Sequence, residues 1–405
     1  MPRFSRYVVP LGLAGVLLAA GVVLGWSALP PGSMRDPALA SPSGDILGAT
    51  ATPARTREPG PAPSSDPPSN GCDAEVAELT AEGVRAAVQS AGPNGTVCFP
   101  AGDIDGPLEA SVEGQVWRLD RDTVLRQRLR IDAPRVTIVG GRVEIASDDP
   151  WADSVVILAD DARIEGVTFR GGGLGVSVRG HDRTAIVGND FADLAGTSIA
   201  VWGDGRGADD VIVENNRIVQ TRTRQASPII SRGTEQLEDG VRNTGLVVRG
   251  NDIDQGDGEI GWYGIELKAS PGALIEANDV RGGSVLVSVP DSDDVTVRGN
   301  RLDLRGSPYW AVELPNSHRS TVIDNVIVGD GLDGRDTAFS MNSGSQHATI
   351  RQNVVEAVRT LVDLSGDHHL VSDNCVTDVR LEFDHRSSAG DDVRFERNAG
   401  CAGTP

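Results

Sequence analysis

Of the 37 basic residues in this 405-residue chain, 36 are arginine and one, Lys268, is lysine. Lys268 closes the stretch Gly264-Ile-Glu-Leu-Lys268, two residues after Glu266. A lysine can act as a general base where an arginine cannot, because an ammonium gives up its proton when desolvated or set beside another cation. Arg232 and Glu266 would act on it in opposite senses. The simpler role for Lys268 is an ion pair with Glu266 or Glu313. Glu266 and Glu313 also make a candidate carboxylate pair, and glycosidic bonds are hydrolysed between two carboxyls about 5–10 Å apart.

These residues meet only if the segments carrying them are stacked. Gly175-Val-Ser-Val-Arg179, Ser198-Ile-Ala-Val-Trp202, Gly264-Ile-Glu-Leu-Lys268, Leu286-Val-Ser-Val-Pro290 and Ala311-Val-Glu-Leu-Pro315 share one pattern, and Ile229-Ile-Ser-Arg232 falls in the same series. Strand alternation turns Val176/Val178, Ile199/Val201, Ile265/Leu267 and Val312/Leu314 inward. Ser177/Arg179, Ala200/Trp202, Ile230/Arg232, Glu266/Lys268, Ser288/Pro290 and Glu313/Pro315 then face outward. With neighbouring strands about 4.8 Å apart, Arg232, Glu266, Lys268 and Glu313 share one face within about 15 Å. Trp262-Tyr263 and Tyr309-Trp310 precede two of these strands, and with Trp202 they are five of the nine Trp and Tyr. Such aromatics beside charged groups suit a sugar, which offers both an apolar ring face and polar edges. Arg179 belongs to the same expected substrate-binding set.

The stacking itself is written in a repeat. An asparagine recurs at Asn189, Asn216, Asn251, Asn278, Asn300, Asn325, Asn353, Asn374 and Asn398, each in or after a short alternating apolar run such as Val295-Thr-Val-Arg-Gly-Asn300. Gly141 and Val167 hold the same slot in two earlier copies, and the mean spacing is about 26 residues, a solenoid period. No repeat has a helix-length apolar stripe, and a propeller blade needs about 40 residues. Three short strands and three turns fit, with the asparagines stacked as a ladder that satisfies turn backbone groups. This pattern resembles the right-handed parallel β-helix of the pectin-lyase-like superfamily, over roughly residues 73–400. The resemblance implies an all-β chain of about 10–11 coils. The sequence also predicts a short capping helix over Ala81–Ser90, with Val84, Ala87 and Val88 on one face. An open coil end would otherwise expose strand edges and core.

Ahead of the repeats, Arg3 and Arg6 precede an uncharged stretch, Val8–Leu29, whose length suits a bilayer span. The other reading is a cleaved signal with Ala38-Leu39-Ala40 as the cleavage site. Either places the remainder outside the cytoplasm. We divide the chain into an anchor or signal (1–29), a Pro/Ser/Ala-rich tether without aromatics (30–71) that cannot offset its ordering entropy, and one β-helix domain (72–405). Four cysteines allow three pairings. Cys72–Cys98 and Cys375–Cys401 are favoured, because each pair lies at one end of the repeat region and no CxxC marks a zinc site. A net charge of −21 disfavours nucleic acid and anionic membrane surfaces as partners, so contact with a membrane is expected only through the N-terminal segment, and a monomer is expected.

The stretch Gly264–Asn278 also looks like part of the alginate and dermatan-sulfate lyases of the chondroitinase B type, where a Glu/Lys strand is followed by an Asn-ended one. The resemblance implies that Lys268 abstracts the proton beside a uronate carboxylate, that Ca²⁺ neutralises that carboxylate, and that Glu266 is a metal ligand. That family's next coil reads Leu-Arg-His-Gly, whereas this chain has Val287-Ser-Val-Pro290, which leaves Arg232 on the opposite neighbour as the carboxylate-binding cation. Glu313 would join Glu266 as metal ligand or tune Lys268. The paired aspartates with Gly-His-Gly of polygalacturonases and the Arg-x-Pro-x-x-Arg of pectate lyases are absent. The expected function is therefore elimination or epimerisation at uronate residues of an extracellular polysaccharide. The alternatives are a non-catalytic, membrane-tethered glycan binder and a glycoside hydrolase using Glu266 and Glu313.

Overall fold

The computed structural model describes residues 71–401 apart from 221–225, 234–239, 257–262, 306–308, 332–335, 343 and 390–391, with backbone alone over 381–389. The segment 1–29, almost all of the tether and Trp262 lie outside the described residues. The rest forms three parallel sheets of 14, 12 and 12 strands. Apart from Ala74–Glu75, which pairs with the next strand, each strand pairs with the strand three further along the chain, so one strand of every sheet makes up a coil. The result is the expected all-β, right-handed parallel β-helix of about eleven turns.

Strands are short because the turn residues leave them no choice. The residue before each ladder asparagine takes a left-handed conformation: Gly250 has φ 64°, Ala277 53°, Gly299 62° and Gln352 56°. That bend ends one strand and aims the next along another sheet. The asparagine then ties the coils together. Asn278 Oδ1 accepts from the backbone N and the Nδ2 of Asn251 at 3.0 and 2.9 Å, while Asn278 Nδ2 donates to Val248 O and Asn300 Oδ1 at 2.9 and 3.0 Å. The pattern continues without a break from Asn189 to Asn398. A second ladder, not foreseen from sequence, runs along another turn through Ser270, Ser292, Ser317 and Ser345, each hydroxyl accepting the backbone N–H of the preceding member.

Inside, aliphatic side chains stack coil on coil. Ile186, Val213, Val248, Ile275, Val297, Val322 and Ile350 are at most 2 % exposed, and Phe169 stacks on Phe191 at 4.5 Å between ring centres. Each such side chain contributes about 1.5–3 kcal/mol by leaving water. The N-terminal end is covered by the helix Ala81–Ala91, one residue longer than expected, with Val84, Ala87 and Val88 buried. Thr80 Oγ1 caps it by accepting from Gly83 N. Gln115 Nε2 donates to the carbonyls of Val88 and Gly92 and fastens it to the first coils. Disulfides join Cys72 to Cys98 and Cys375 to Cys401, one at each end of the solenoid. Among the described residues no helix is long and apolar enough to cross a membrane.

Candidate functional site

The sheet that carries the candidate residues stacks Leu174–Arg179, Ile199–Trp202, Ile229–Arg232, Tyr263–Lys268, Val285–Ser288, Trp310–Glu313, Thr337–Met341 and Thr360–Gly366. Its register sets three outward columns. The first runs Tyr263, Val285, Trp310, Thr337 and Thr360. The second runs Ser177, Ala200, Ile230, Glu266, Ser288, Glu313, Ser340 and Asp363. The third places Arg179, Trp202, Arg232 and Lys268 in line. Ile229–Arg232 is therefore in the same series. Between the first two columns lie two consecutive inward residues, as in Ala311-Val312 and Leu286-Val287, a local break in the alternation.

The face is less open than alternation implies. In the middle column Ser177, Ala200, Ile230, Glu266 and Ser288 are 0, 0, 6, 6 and 2 % exposed. One cause is visible: Arg232, in the third column, turns back over Glu266, and its Nη2 lies 3.1 and 3.2 Å from the two carboxylate oxygens. Ser227 Oγ donates to the same carboxylate. Lys268 is partnered differently from expectation. Its ammonium lies 3.9 Å from Asp291, a turn residue that the sequence reading did not single out. Arg232, from the same column, holds Glu266.

Glu313 stands two strands beyond Glu266 in the same column, with Ser288 between them. Burial pushes its carboxyl above the usual range, and the charge of Glu266 adds to the rise, against a 3.0 Å hydrogen bond from Ser288 Oγ that favours the anion. Tyr263 is raised by burial and then by Glu313 and Glu266. Two carboxyls thus occupy unequal surroundings on one wall: Glu266 buried beside a guanidinium, Glu313 half-buried and drawn toward its neutral form. Asp363, 3 % exposed, lies two strands further on. The sequence reading missed it, although Thr360-Leu-Val-Asp363 repeats the position of Glu313 in Trp310-Ala-Val-Glu313.

The aromatics divide. Tyr309 is 46 % exposed and its ring stacks on Trp310 at 5.4 Å. Tyr263 and Trp310 are half-buried in the first column. Trp202 lies beneath Arg179, whose guanidinium carbon is 5.5 Å from the ring centre, and Arg179 also pairs with Asp153 and Asp204. Calcium does not fit the donors proposed for it. Glu266 and Glu313 are separated by a full strand, Ca²⁺ takes six to eight oxygens, and among the described residues no three acidic, His or Cys groups are placed to share a metal.

Three stacked parallel sheets, one strand of each per coil, an asparagine ladder and a buried carboxyl column define a right-handed parallel β-helix protein. The chain belongs to the family described as "Right handed beta helix region", whose model matches residues 153–355, just over half of its length. Among solved structures it is similar to the DFA-IIIase of Arthrobacter chlorophenolicus A6 without its lid in complex with GF2, at 13 % identity over 79 % of this chain and 91 % of that one, with a TM-score of 0.54. It is also similar to the A-module of the mannuronan C-5 epimerase AlgE4 of Azotobacter vinelandii, at 13 % identity over 78 % and 95 %, TM-score 0.51. PfbA, a surface adhesin of Streptococcus pneumoniae, aligns at 13 % identity over 79 % and 87 %, TM-score 0.50. At these identities the likeness speaks for the fold. No curated protein matches the chain in sequence.

Proposed function

We propose that this protein is an extracytoplasmic enzyme that cleaves a glycosidic bond of a polysaccharide, with Glu313 as acid and Glu266 as its carboxylate partner. The observation that carries the reading is the contrast within one column: Glu313 is pushed toward its protonated form while Glu266 sits against Arg232. Two titratable groups held in opposed environments are what acid–base cleavage needs. Protonated Glu313 gives its proton to the glycosidic oxygen as the bond to the anomeric carbon breaks. Glu266 takes a proton from the water whose oxygen bonds to that carbon. Two strand steps of about 4.8 Å leave room for the water, which corresponds to inversion of configuration. Tyr263, Tyr309 and Trp310 supply sugar-facing surface along the edge of the sheet. The two disulfides suit an oxidising compartment, and the kinship of the fold with a DFA-IIIase, an epimerase and an adhesin agrees with a glycan ligand. Anchoring by residues 8–29 and a monomeric state belong to the same proposal.

The test is release of reducing ends from a panel of neutral and acidic polysaccharides, with product stereochemistry followed by NMR. Absence of turnover, or turnover unchanged by Glu313→Gln, overturns the assignment. A second reading, uronate elimination or epimerisation with Lys268 as base, draws on the placement of the chain's only lysine in register with Arg232 on this wall. Lys268→Arg separates the two. It keeps the charge near Asp291 and spares hydrolysis, but removes a proton acceptor and abolishes any ultraviolet-absorbing unsaturated product.

A further inference from the structure

Among the described residues the most exposed aromatic lies away from the carboxyl wall described above. Trp151, 67 % exposed, stands two residues before the strand Asp153–Ile157, which belongs to the same sheet. Tyr309 stands one residue before its strand in the same way, and Tyr263 begins another. The Asp153 strand is four strands from the Tyr263 strand and six from the Trp310 strand, or about 19 and 29 Å along the axis. These aromatics therefore mark one edge of one sheet, in a line parallel to the solenoid axis.

The loop that presents Trp151 is held in place. Asp149 N donates to Ser147 Oγ at 3.2 Å, Trp151 N donates to Asp149 Oδ1 at 3.0 Å, and Leu174 N donates to Ala152 O at 2.9 Å. The next two coils make room for it with glycine: a Cβ at Gly173 would stand 2.1 Å from Asp149 O, and one at Gly196 would stand 2.2 Å from Pro150 O. In the turns that lead into this edge from the neighbouring sheet lie two adjoining cavities of about 530 and 580 Å³, which share Ile145, Ala146, Gly171 and Asp193, and Ser147 and Asp148 of the Trp151 loop line the second. Their walls mix apolar groups with charges of both signs, including Asp105, Arg126 and Asp148. A flat exposed indole beside a groove of mixed polarity suits a sugar ring, one apolar face and many hydroxyls.

We propose that Ser147–Ala152 and the groove beside it form a distal glycan subsite, with Trp151 as its stacking surface, so that the substrate is a polymer lying along the axis rather than a short oligosaccharide. The inference rests on the reading of the sheet as a glycan site and specifies the length of chain it takes. A strand of sugar reaching from Glu313 past Tyr263 to Trp151 gains affinity from the far contact, and a tetrasaccharide seated at the carboxyls never reaches it.

The experiment uses the full chain carrying Glu313→Gln, to stop turnover, in affinity electrophoresis through gels containing inulin, alginate, dextran or chitosan. Competition with the tetrasaccharide of each retarding polymer follows. We expect retardation by at least one polymer, weakened about tenfold by Trp151→Ala and largely kept in Trp151→Phe, with tetrasaccharide affinity the same in all three. Gly173→Ala, which displaces the loop without touching the indole, should act like Trp151→Ala. Equal retardation of Trp151→Ala, an equal loss for polymer and tetrasaccharide, or no retardation by any of the four overturns the proposal. Polymer cleavage with Glu313 intact that is unchanged by Trp151→Ala overturns this inference alone. Trp151-dependent retardation without any cleavage overturns the catalytic reading and leaves this one standing.

Discussion

Two polar columns run through this solenoid at the same pitch, and their chemistry diverges. In the asparagine ladder every member gives and receives the same hydrogen bonds, so each amide in the series is matched by the next. In the column Glu266–Ser288–Glu313–Ser340–Asp363 the neighbours are unlike: a guanidinium serves one carboxylate, a hydroxyl another, and burial raises the middle one. Both are buried. A uniform column converts burial into stability, because every polar atom is answered. A heterogeneous column sets its carboxyls in unlike surroundings and raises the proton affinity of Glu313, which is a cost to folding and a resource for chemistry.

The largest effect that would break the comparison is catalytic. Glu313→Gln should reduce kcat by about 10³-fold, the range of a lost general acid, measured by reducing-end release, while thermal unfolding stays near that of the parent. Asn300→Ala should do the reverse. It removes the acceptor of the Asn278 backbone N–H, one of the two acceptors of Asn278 Nδ2 and the side-chain donor to the Ile275 carbonyl, and should cost about 3 kcal/mol in denaturant melts, with activity unaffected at temperatures where the protein is folded. Arg232→Gln falls between them. It strips the 6 % exposed Glu266 of its ion pair, and because Arg232 is itself partly in water the expected cost is about 2 kcal/mol, read in the same melts.

A subtler test concerns pH. Glu313 has a folded pKa above its ordinary 4.5, so the native state holds its proton more tightly than the unfolded chain. The stability it lends is complete below about pH 4.5 and is lost as pH rises through the folded value. Glu313→Gln should flatten that fall in melts scanned upward from pH 4.5. The smallest change sharpens the structural column. Ala277, left-handed at φ 53° beside a ladder asparagine, should gain about 0.5 kcal/mol as Ala277→Gly, since relief of the Cβ clash exceeds the added chain entropy.

The solenoid was legible because its rule is local and repeated: a bend residue, an asparagine, then alternating apolar positions. The register of Ile229–Arg232 with Gly264–Lys268 followed from that rule. The site was legible only as far as columns go. Sequence placed Arg232, Glu266 and Glu313 on one wall, but which cation served which carboxylate depended on side-chain reach across columns. Arg232 reached back and Lys268 reached down to Asp291. The burial of the middle column was also invisible, because alternation predicts direction and not what leans over it. Asp363 and the serine ladder were readable in principle. Asp363 repeats the position of Glu313 two coils away and the serines repeat one another's position from coil to coil, and a search for equivalent positions along the whole axis would have found them.

The arginine bias noted at the outset has a practical side. With one lysine in the whole chain, partly exposed beside the carboxyl wall, the protein presents a single ε-amine to acylating reagents. A fluorophore or crosslinker attached through an amide would settle at one defined point, next to the proposed cleft, with only an α-amino group as competitor. The molecule comes with its own attachment handle, and a dye placed there would report glycan entry without any engineered cysteine.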